Sequence, residues 1–135
     1  MVEPARPDGV APHCCLVLGS RNPRRLAGFY ADLMGGESAA VVPFVPGGAV
    51  TVRLPTGMDM VLYRPSRRRP QPRQNGGLAL CLRCADLESI RQRATALGGQ
   101  VLEPIREASF GREQWLLDLE GNPVLLWEAP TDRPA

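Results

Sequence analysis

The residues with reactive chemistry are few and fall in three short stretches. "HCC" sets His13, the one histidine of the chain, beside Cys14 and Cys15, and "CLRC" separates Cys81 from Cys84 by two residues. A cysteine near a histidine has the makings of a nucleophile with its base, because the thiolate is the reactive form and a neighbour must take its proton. The cysteines could instead make a zinc knuckle, as C-x-x-C does when it lies in a turn. "EGNPVLLWE" ends on Glu128, a carboxylate available to a metal. Arg83, between Leu82 and Cys84, carries the planar fork that grips a carboxylate or phosphate through two hydrogen bonds. The choice among these chemistries depends on the elements that carry them.

Both cysteine pairs sit in alternating apolar runs, "HCCLVLG" and "LALCLRC". Successive side chains of a strand point to opposite faces, so Cys14 and Cys15 diverge, and so do Cys81 and Cys84. That geometry argues against zinc and for packed, inert thiols. The chain has no apolar run near the roughly 20 residues that span a bilayer. Its start, "MVEPARPDGVAP", lacks the apolar core of a secretory signal, so a cytoplasmic protein with reduced thiols and a loose N-terminal arm is expected. A net charge of +2 with no lysine is too small to imply a nucleic-acid partner. The arginines of "RPSRRRPQPR" alternate with prolines and no aromatic, the composition of a solvated linker; a module binding phosphate-rich polymers would need stacking side chains. No Ser-His-Asp set, glycine-rich phosphate loop or paired inward carboxylates can be made out.

Periodicity predicts the order of elements. "HCCLVLGS" reads as a strand, "NPRRLAGFYADLMGG" as a helix, and "GAVTVRLP" with "MDMVLYRP" as a hairpin around Thr56-Gly57. The order then repeats: "LALCLRCA" as a strand, "DLESIRQRATALGG" as a helix, "QVLEPI" as a short strand, and "EQWLLDLEGNPVLLWE" as a hairpin around Glu120, Gly121 and Asn122. Asn22 before Pro23, and Asp86, supply N-caps; Gly35 and Gly98 supply C-terminal stops. Leu26, Phe29, Tyr30 and Leu33 form one apolar stripe, and Leu87, Ile90, Ala94 and Leu97 the other. A shift of 64 residues superposes the halves: Leu26 on Ile90, Tyr30 on Ala94, Leu33 on Leu97, and "VLY" on "LLW". The fold class is therefore α+β, two βαβββ modules in tandem forming a concave mixed sheet around a cleft. The expected boundaries are an arm over 1–12 and a domain over 13–130 (module one 13–65, Arg/Pro linker 66–76, module two 77–130), with a tail over 131–135.

With "LAGFYADLMGG" as its first-helix pattern and "DLEGNPVLLWE" as its closing D-x-x-G-N hairpin, the chain from about His13 to Pro130 resembles the vicinal oxygen chelate superfamily. That superfamily takes in glyoxalase I, extradiol dioxygenases, fosfomycin-resistance transferases and bleomycin-resistance proteins. The resemblance implies the fold more specifically than the chemistry, because members isomerise, transfer, oxygenate or only bind. It places the metal ligands of metal-dependent members at Cys15, Val61, Ala79 and Leu125, and three of these have no donor atom. It also implies a homodimer, since small members complete their clefts with a partner chain, and a mobile loop at "EASFGREQW", with Phe110 and Gly111 in a lid.

Glu128 lies three residues beyond Leu125, an odd step that turns it to the other face or to the strand end. His13 shares the inward face with Cys15, yet one histidine does not hold a catalytic ion without partners. Val61, Ala79 and Leu125 make an apolar cleft floor, which suits an organic ligand. Beside it come Tyr63, Trp115 and Trp127 as aromatic walls, with Val17, Cys81, Arg53 and Arg83. Tyr63 and Trp127 either contact ligand or join the core. Arg83 and Arg53 either meet an anion or pair with rim carboxylates, Asp59 or Glu113 in the case of Arg83. Cys15 with His13 remains a candidate catalytic pair against a packed thiol.

The expectation is a metal-free, cofactor-free protein that binds a small, partly apolar and anionic molecule, with no nucleic acid or membrane as partner. The alternative is a metal-dependent lyase, isomerase or transferase in which His13, Glu128 or Glu113, and Cys15 converge.

Overall fold

The computed structural model describes residues 14–35, 40–41, 49–54, 57–68, 70–71 and 77–132. Module one contains β1 (Cys15–Gly19), α1 (Pro23–Met34), β2 (Ala40–Val41), β3 (Val50–Arg53) and β4 (Asp59–Tyr63). Its four-stranded sheet has the order β1-β4-β3-β2, with β1 and β4 parallel and the other pairs antiparallel. Module two contains β5 (Leu80–Arg83), α2 (Leu87–Ala96), β6 (Gln100–Val101), β7 (Arg106–Ala108), β8 (Gly111–Leu117) and β9 (Pro123–Glu128). Its sheet runs β5-β9-β8-β6, and β7 also pairs with β8.

The repeat of 64 residues holds pair by pair. Leu16 faces Met60 as Leu80 faces Val124, and Val52 faces Met60 as Leu116 faces Val124. The Ser20 N–H donates to the Tyr63 carbonyl at 2.8 Å, and its counterpart, the Cys84 N–H, donates to that of Trp127 at 2.8 Å. Both helices start as expected, with the Asn22 side chain accepting from the Arg25 N–H and Asp86 from that of Ser89, each at 3.2 Å. Gly35 (φ 63°) and Gly98 (φ 103°) follow the helix ends with the positive φ that glycine tolerates.

Each sheet buries one face against its helix. Val50, Val52, Met60 and Leu62 pack under Leu26, Phe29, Tyr30 and Leu33, and Leu116, Val124 and Leu126 under Leu87 and Ala94. Each such side chain, moved fully out of water, contributes about 1.5–3 kcal/mol, which makes the helix-bearing faces the stable side of the molecule.

The modules were expected to join through one shared concave sheet; among the described residues no strand pair links the two sheets, and they share one buried apolar core instead, to which a polar latch is added. The Tyr30 hydroxyl donates to Asp118 Oδ2 at 2.6 Å, and Arg93 donates to the Leu33 carbonyl at 3.1 Å. At the tip of the β8–β9 hairpin, Glu120 accepts from the Arg21 and Asn22 N–H groups at the start of α1. The segment "EASFGREQW", read as a loop, forms strand: Arg106 faces Glu113 and Ala108 faces Gly111 in a β7–β8 hairpin. Its charges pair across strands, so it lacks the apolar alternation that betrays a half-buried strand.

Residues 64–68, at the junction of module one and the linker, are exposed, and Gln71 reaches back over β1, so closely that a Cβ on Gly19 would fall 1.8 Å from its Oε1. His13 and the N-terminal arm lie outside the described residues. No described helix is long and apolar enough to cross a membrane.

Candidate functional site

The strand faces turned away from the helices form the candidate site. On β4, Val61 is half-buried between core residues Met60 and Leu62, whereas Tyr63, expected as a ligand wall, is buried; Val61 faces Val17 on β1, which is 45% exposed, and Cys15 faces Asp59. Arg53 also faces Asp59, with Nε 3.3 Å from Oδ1, so this arginine takes the rim ion pair that was its alternative to a ligand. On module two, Leu125 lies between Cys81 and Trp115, and Trp127 between Arg83 and Glu113. Ala79 is exposed immediately before β5.

Arg83 and Trp127 form the most structured part of this surface. The Arg83 guanidinium carbon stands 5.2 Å from the centroid of the Trp127 ring, and its Nη2 lies 3.5 Å from Thr131 Oγ1. The indole N–H donates to the Phe110 carbonyl at 2.9 Å, which fixes the ring against the β7–β8 turn. Asp59 pairs with Arg53, and Glu113 with Arg106 at 3.3 Å. The result is a half-buried aromatic plane with a cation above it, beside the half-buried Leu125 on the same strand.

The thiols depart from expectation: Cys14, Cys15 and Cys81 are exposed and only Cys84 is buried, its Sγ 3.5 Å from the Trp127 carbonyl. The reason is topological. β1 and β5 are edge strands, and their outer faces carry no helix. Partial burial and then the Glu113 charge push the Cys81 thiol upward, which keeps it protonated and a poor nucleophile.

Glu128 is on the face opposite Leu125, as parity requires, but it is 3% exposed and buried beneath the start of α2. Its Oε2 accepts the Leu87 N–H at 2.9 Å, and its Oε1 is 3.5 Å from Arg112 Nη1. A carboxylate at a helix N-terminus satisfies an orphan donor and meets the positive end of the helix dipole. Arg112 also pairs with Glu88, and its Nε lies 3.5 Å from Glu107; the hydrogen bond to Glu88, against partial desolvation, leaves the guanidinium more firmly protonated. Asp86, Glu88 and Glu128 bring carboxylate oxygens within 4.8 Å of one another, a cluster the sequence did not disclose. The Arg112 guanidinium supplies the positive charge there.

Of the four positions at which the family resemblance places metal ligands, only Cys15 carries a donor atom. Val61, Ala79 and Leu125 offer no N, O or S side-chain donor, and Glu128 points to the other side of the sheet. Glu113 is on the open face but is paired with Arg106.

The residues that sequence reasoning missed form the latch. Asp118 is 4% exposed and accepts from Tyr30, from the Glu120 N–H at 2.8 Å, and from the Asn122 N–H at 3.0 Å and Nδ2 at 2.8 Å. Glu120 crosses to module one, where its carboxylate accepts from Ser20 Oγ, from the Arg21 N–H at 2.8 Å and from the Asn22 N–H at 3.5 Å. Partial burial raises its pKa, but those hydrogen bonds and the Arg21 charge outweigh it and hold Glu120 below the usual carboxylate range. The D-x-x-G-N motif was the available signal; its aspartate ties the turn and the modules together.

Comparison with known proteins accords with this geometry. Residues 15–127 match the model of the glyoxalase-like domain family. Among solved structures, hypothetical protein SA1046 from S. aureus superposes with a TM-score of 0.72 at 14% identity, over 90% of this chain and 97% of that one. TnmS3, an antibiotic binding protein from Streptomyces sp. CB03234, gives 0.66 at 22% identity over 89% and 97%. A glyoxalase-related enzyme from Fulvimarina pelagi gives 0.67 at 18% identity over 90% of each chain. No curated protein matches. With two βαβββ modules in register and a family match over nearly all of both, the chain belongs to the glyoxalase-like family of the vicinal oxygen chelate superfamily.

Proposed function

We propose that this protein binds a small, planar, partly apolar and anionic molecule on the open sheet faces, and that it does so without metal, cofactor or turnover. The observation that carries the reading is the pairing of Arg83 with Trp127 beside Leu125, a position where metal-dependent relatives need a donor atom. An aromatic plane attracts a flat ring, a guanidinium meets its carboxylate or phenolate, and an apolar floor contributes roughly 25 cal/mol for each Å² of apolar surface removed from water. The antibiotic binding protein TnmS3, which shares this fold, supports binding as the activity. A homodimer in the cytoplasm completes the proposal: Cys15, Val17 and Cys81 are exposed on the open faces of one chain, and a second copy would enclose the ligand. Neither nucleic acid nor membrane is a partner in this reading.

The test is a fluorescence titration with anthraquinone-2-carboxylate, reading the two tryptophans, Trp115 and Trp127. Saturable quenching that weakens at least about tenfold in both Arg83→Ala and Trp127→Ala supports the reading; that loss corresponds to about 1.4 kcal/mol. Binding unaffected by either substitution contradicts it.

A further inference from the structure

The 64-residue repeat lets the helix-free faces of the two modules be compared position by position, and they differ in what stands over them. On module two, Trp127 is half-buried and lies in register between Arg83 and Glu113. The same three places on module one hold Tyr63, Gly19 and Ala49. Gly19 is the register partner of Tyr63 on β1, and Ala49 directly precedes β3. Two long charged side chains are replaced by a hydrogen and a methyl group.

That exchange alone would leave Tyr63 the more open of the two aromatics. Instead Tyr63 is 7% exposed and Ala49 1%, although strand parity turns Tyr63 away from the core residues Met60 and Leu62. The linker supplies the cover. Gln71 is half-buried while residues 64–68 and 70 are exposed, and its carboxamide fills the space that a Cβ on Gly19 would need, with Pro65 Cγ 2.9 Å from the same point. Side chains in register on parallel strands share a face, so Gln71 stands on the Tyr63 side of the sheet, in the place that Arg83 takes beside Trp127. Gly19 has no positive φ, so its backbone does not require glycine. Glycine weakens a strand and marks a close approach by another group, and here that group is Gln71.

We propose that module one carries a second copy of the ligand surface, built on Tyr63 and the half-buried Val61, and that the linker closes it as a strap with Gln71 as the intramolecular occupant. The inference rests on the reading of Trp127 as the ligand platform of module two. The strap leaves Trp127 as the open platform, and lifting it opens the Tyr63 copy. With no arginine at position 19, the uncovered copy takes a flat molecule bearing an uncharged carboxamide, the group that Gln71 places there, in preference to an anion.

The experiment is nitration of the full chain with tetranitromethane, mapped to the two tyrosines by peptide mass spectrometry. The strap predicts that Tyr63 reacts at least about tenfold faster in Gln71→Gly than in wild type, while the core Tyr30 stays protected as the check on folding. Gly19→Ala, which needs the space that Gln71 fills, moves Tyr63 in the same direction. A ¹H–¹⁵N titration with 2-naphthamide then shifts the Gly19 and Val61 amides in Gln71→Gly and leaves them in place in wild type. Nitration reports the strap without any ligand, so a Trp127 surface that fails to bind is told apart from a strap that does not exist. Equal reactivity of Tyr63 in wild type and both variants, or no 2-naphthamide shifts at Gly19 and Val61 in Gln71→Gly, overturns the proposal.

Discussion

The two modules share a register and differ in how the first turn of each helix is held. In module two the Leu87 N–H at the start of α2 is satisfied from within, by Glu128 on β9 of the same sheet, whose charge Arg112 balances. In module one the position equivalent to Glu128 is Arg64, which is exposed, and the start of α1 is held from outside by Glu120 of module two. One half is self-contained and the other leans on its neighbour. After duplication a buried polar group needs a partner somewhere, and which module supplies it is free to vary. Because module two spends Glu128, Asp118 and Glu120 on structure, the carboxylates that a sequence reading offers to a metal are committed to helix starts and turns.

Asp118→Ala has the largest expected effect on this comparison. It leaves the Tyr30 hydroxyl and two turn N–H groups without their acceptor, and should cost about 3 kcal/mol or more in chemical denaturation. A loss below about 1 kcal/mol would mean that the modules do not depend on the latch. Glu128→Ala comes next, at about 2–3 kcal/mol, because it strips the buried Leu87 N–H of its acceptor and removes one of the carboxylates around Arg112. Combined with Arg112→Ala it should cost less than the two separate losses together, since both remove one interaction. Additive losses would sever Glu128 from Arg112.

Tyr30→Phe should cost about 1 kcal/mol through the Asp118 hydrogen bond. Burial first, then the Asp118 hydrogen bond and charge, push the Tyr30 phenol far above its ordinary value. A group whose folded pKa is raised contributes stability fully below its unfolded pKa, so that contribution should fade as pH climbs above about 10, and Tyr30→Phe should flatten the alkaline limb. The smallest effect concerns Glu120, whose folded pKa is lowered. Its contribution is present above the unfolded value of about 4.3 and is lost as pH falls through the folded value. Glu120→Gln should therefore lose stability at neutral pH and show a shallower decline in acid. An acid limb identical to wild type would remove Glu120 from the latch.

The architecture was legible because periodicity, caps and the internal repeat all agree: Asn22 and Asp86 cap at equivalent positions, and the strand registers repeat at the same offset. Strand parity also assigned Val61, Leu125 and Trp127 to one face and Glu128 to the other. What parity could not give is what covers a face. It could not place α2 over Glu128 or leave Cys15 and Cys81 uncovered on edge strands. The Tyr30–Asp118 bond joins residues 88 apart, and no local pattern marks Tyr30 as more than a core aromatic. The β7–β8 turn ahead of Glu113 read as a loop because its pairs are Arg106 with Glu113 and Glu107 with Arg112, which mimic a polar loop.

The central claim is that the open faces bind an organic ligand without a metal. The most direct measurement is the affinity for anthraquinone-2-carboxylate by calorimetry, on untagged protein before and after soaking in zinc, nickel, manganese and iron(II) and desalting, with metal content measured per chain. The account predicts the same affinity in both preparations and no stoichiometric ion retained. Near-stoichiometric retention of one ion, with binding that appears only in its presence, would contradict it and make the metal-dependent enzyme the better reading.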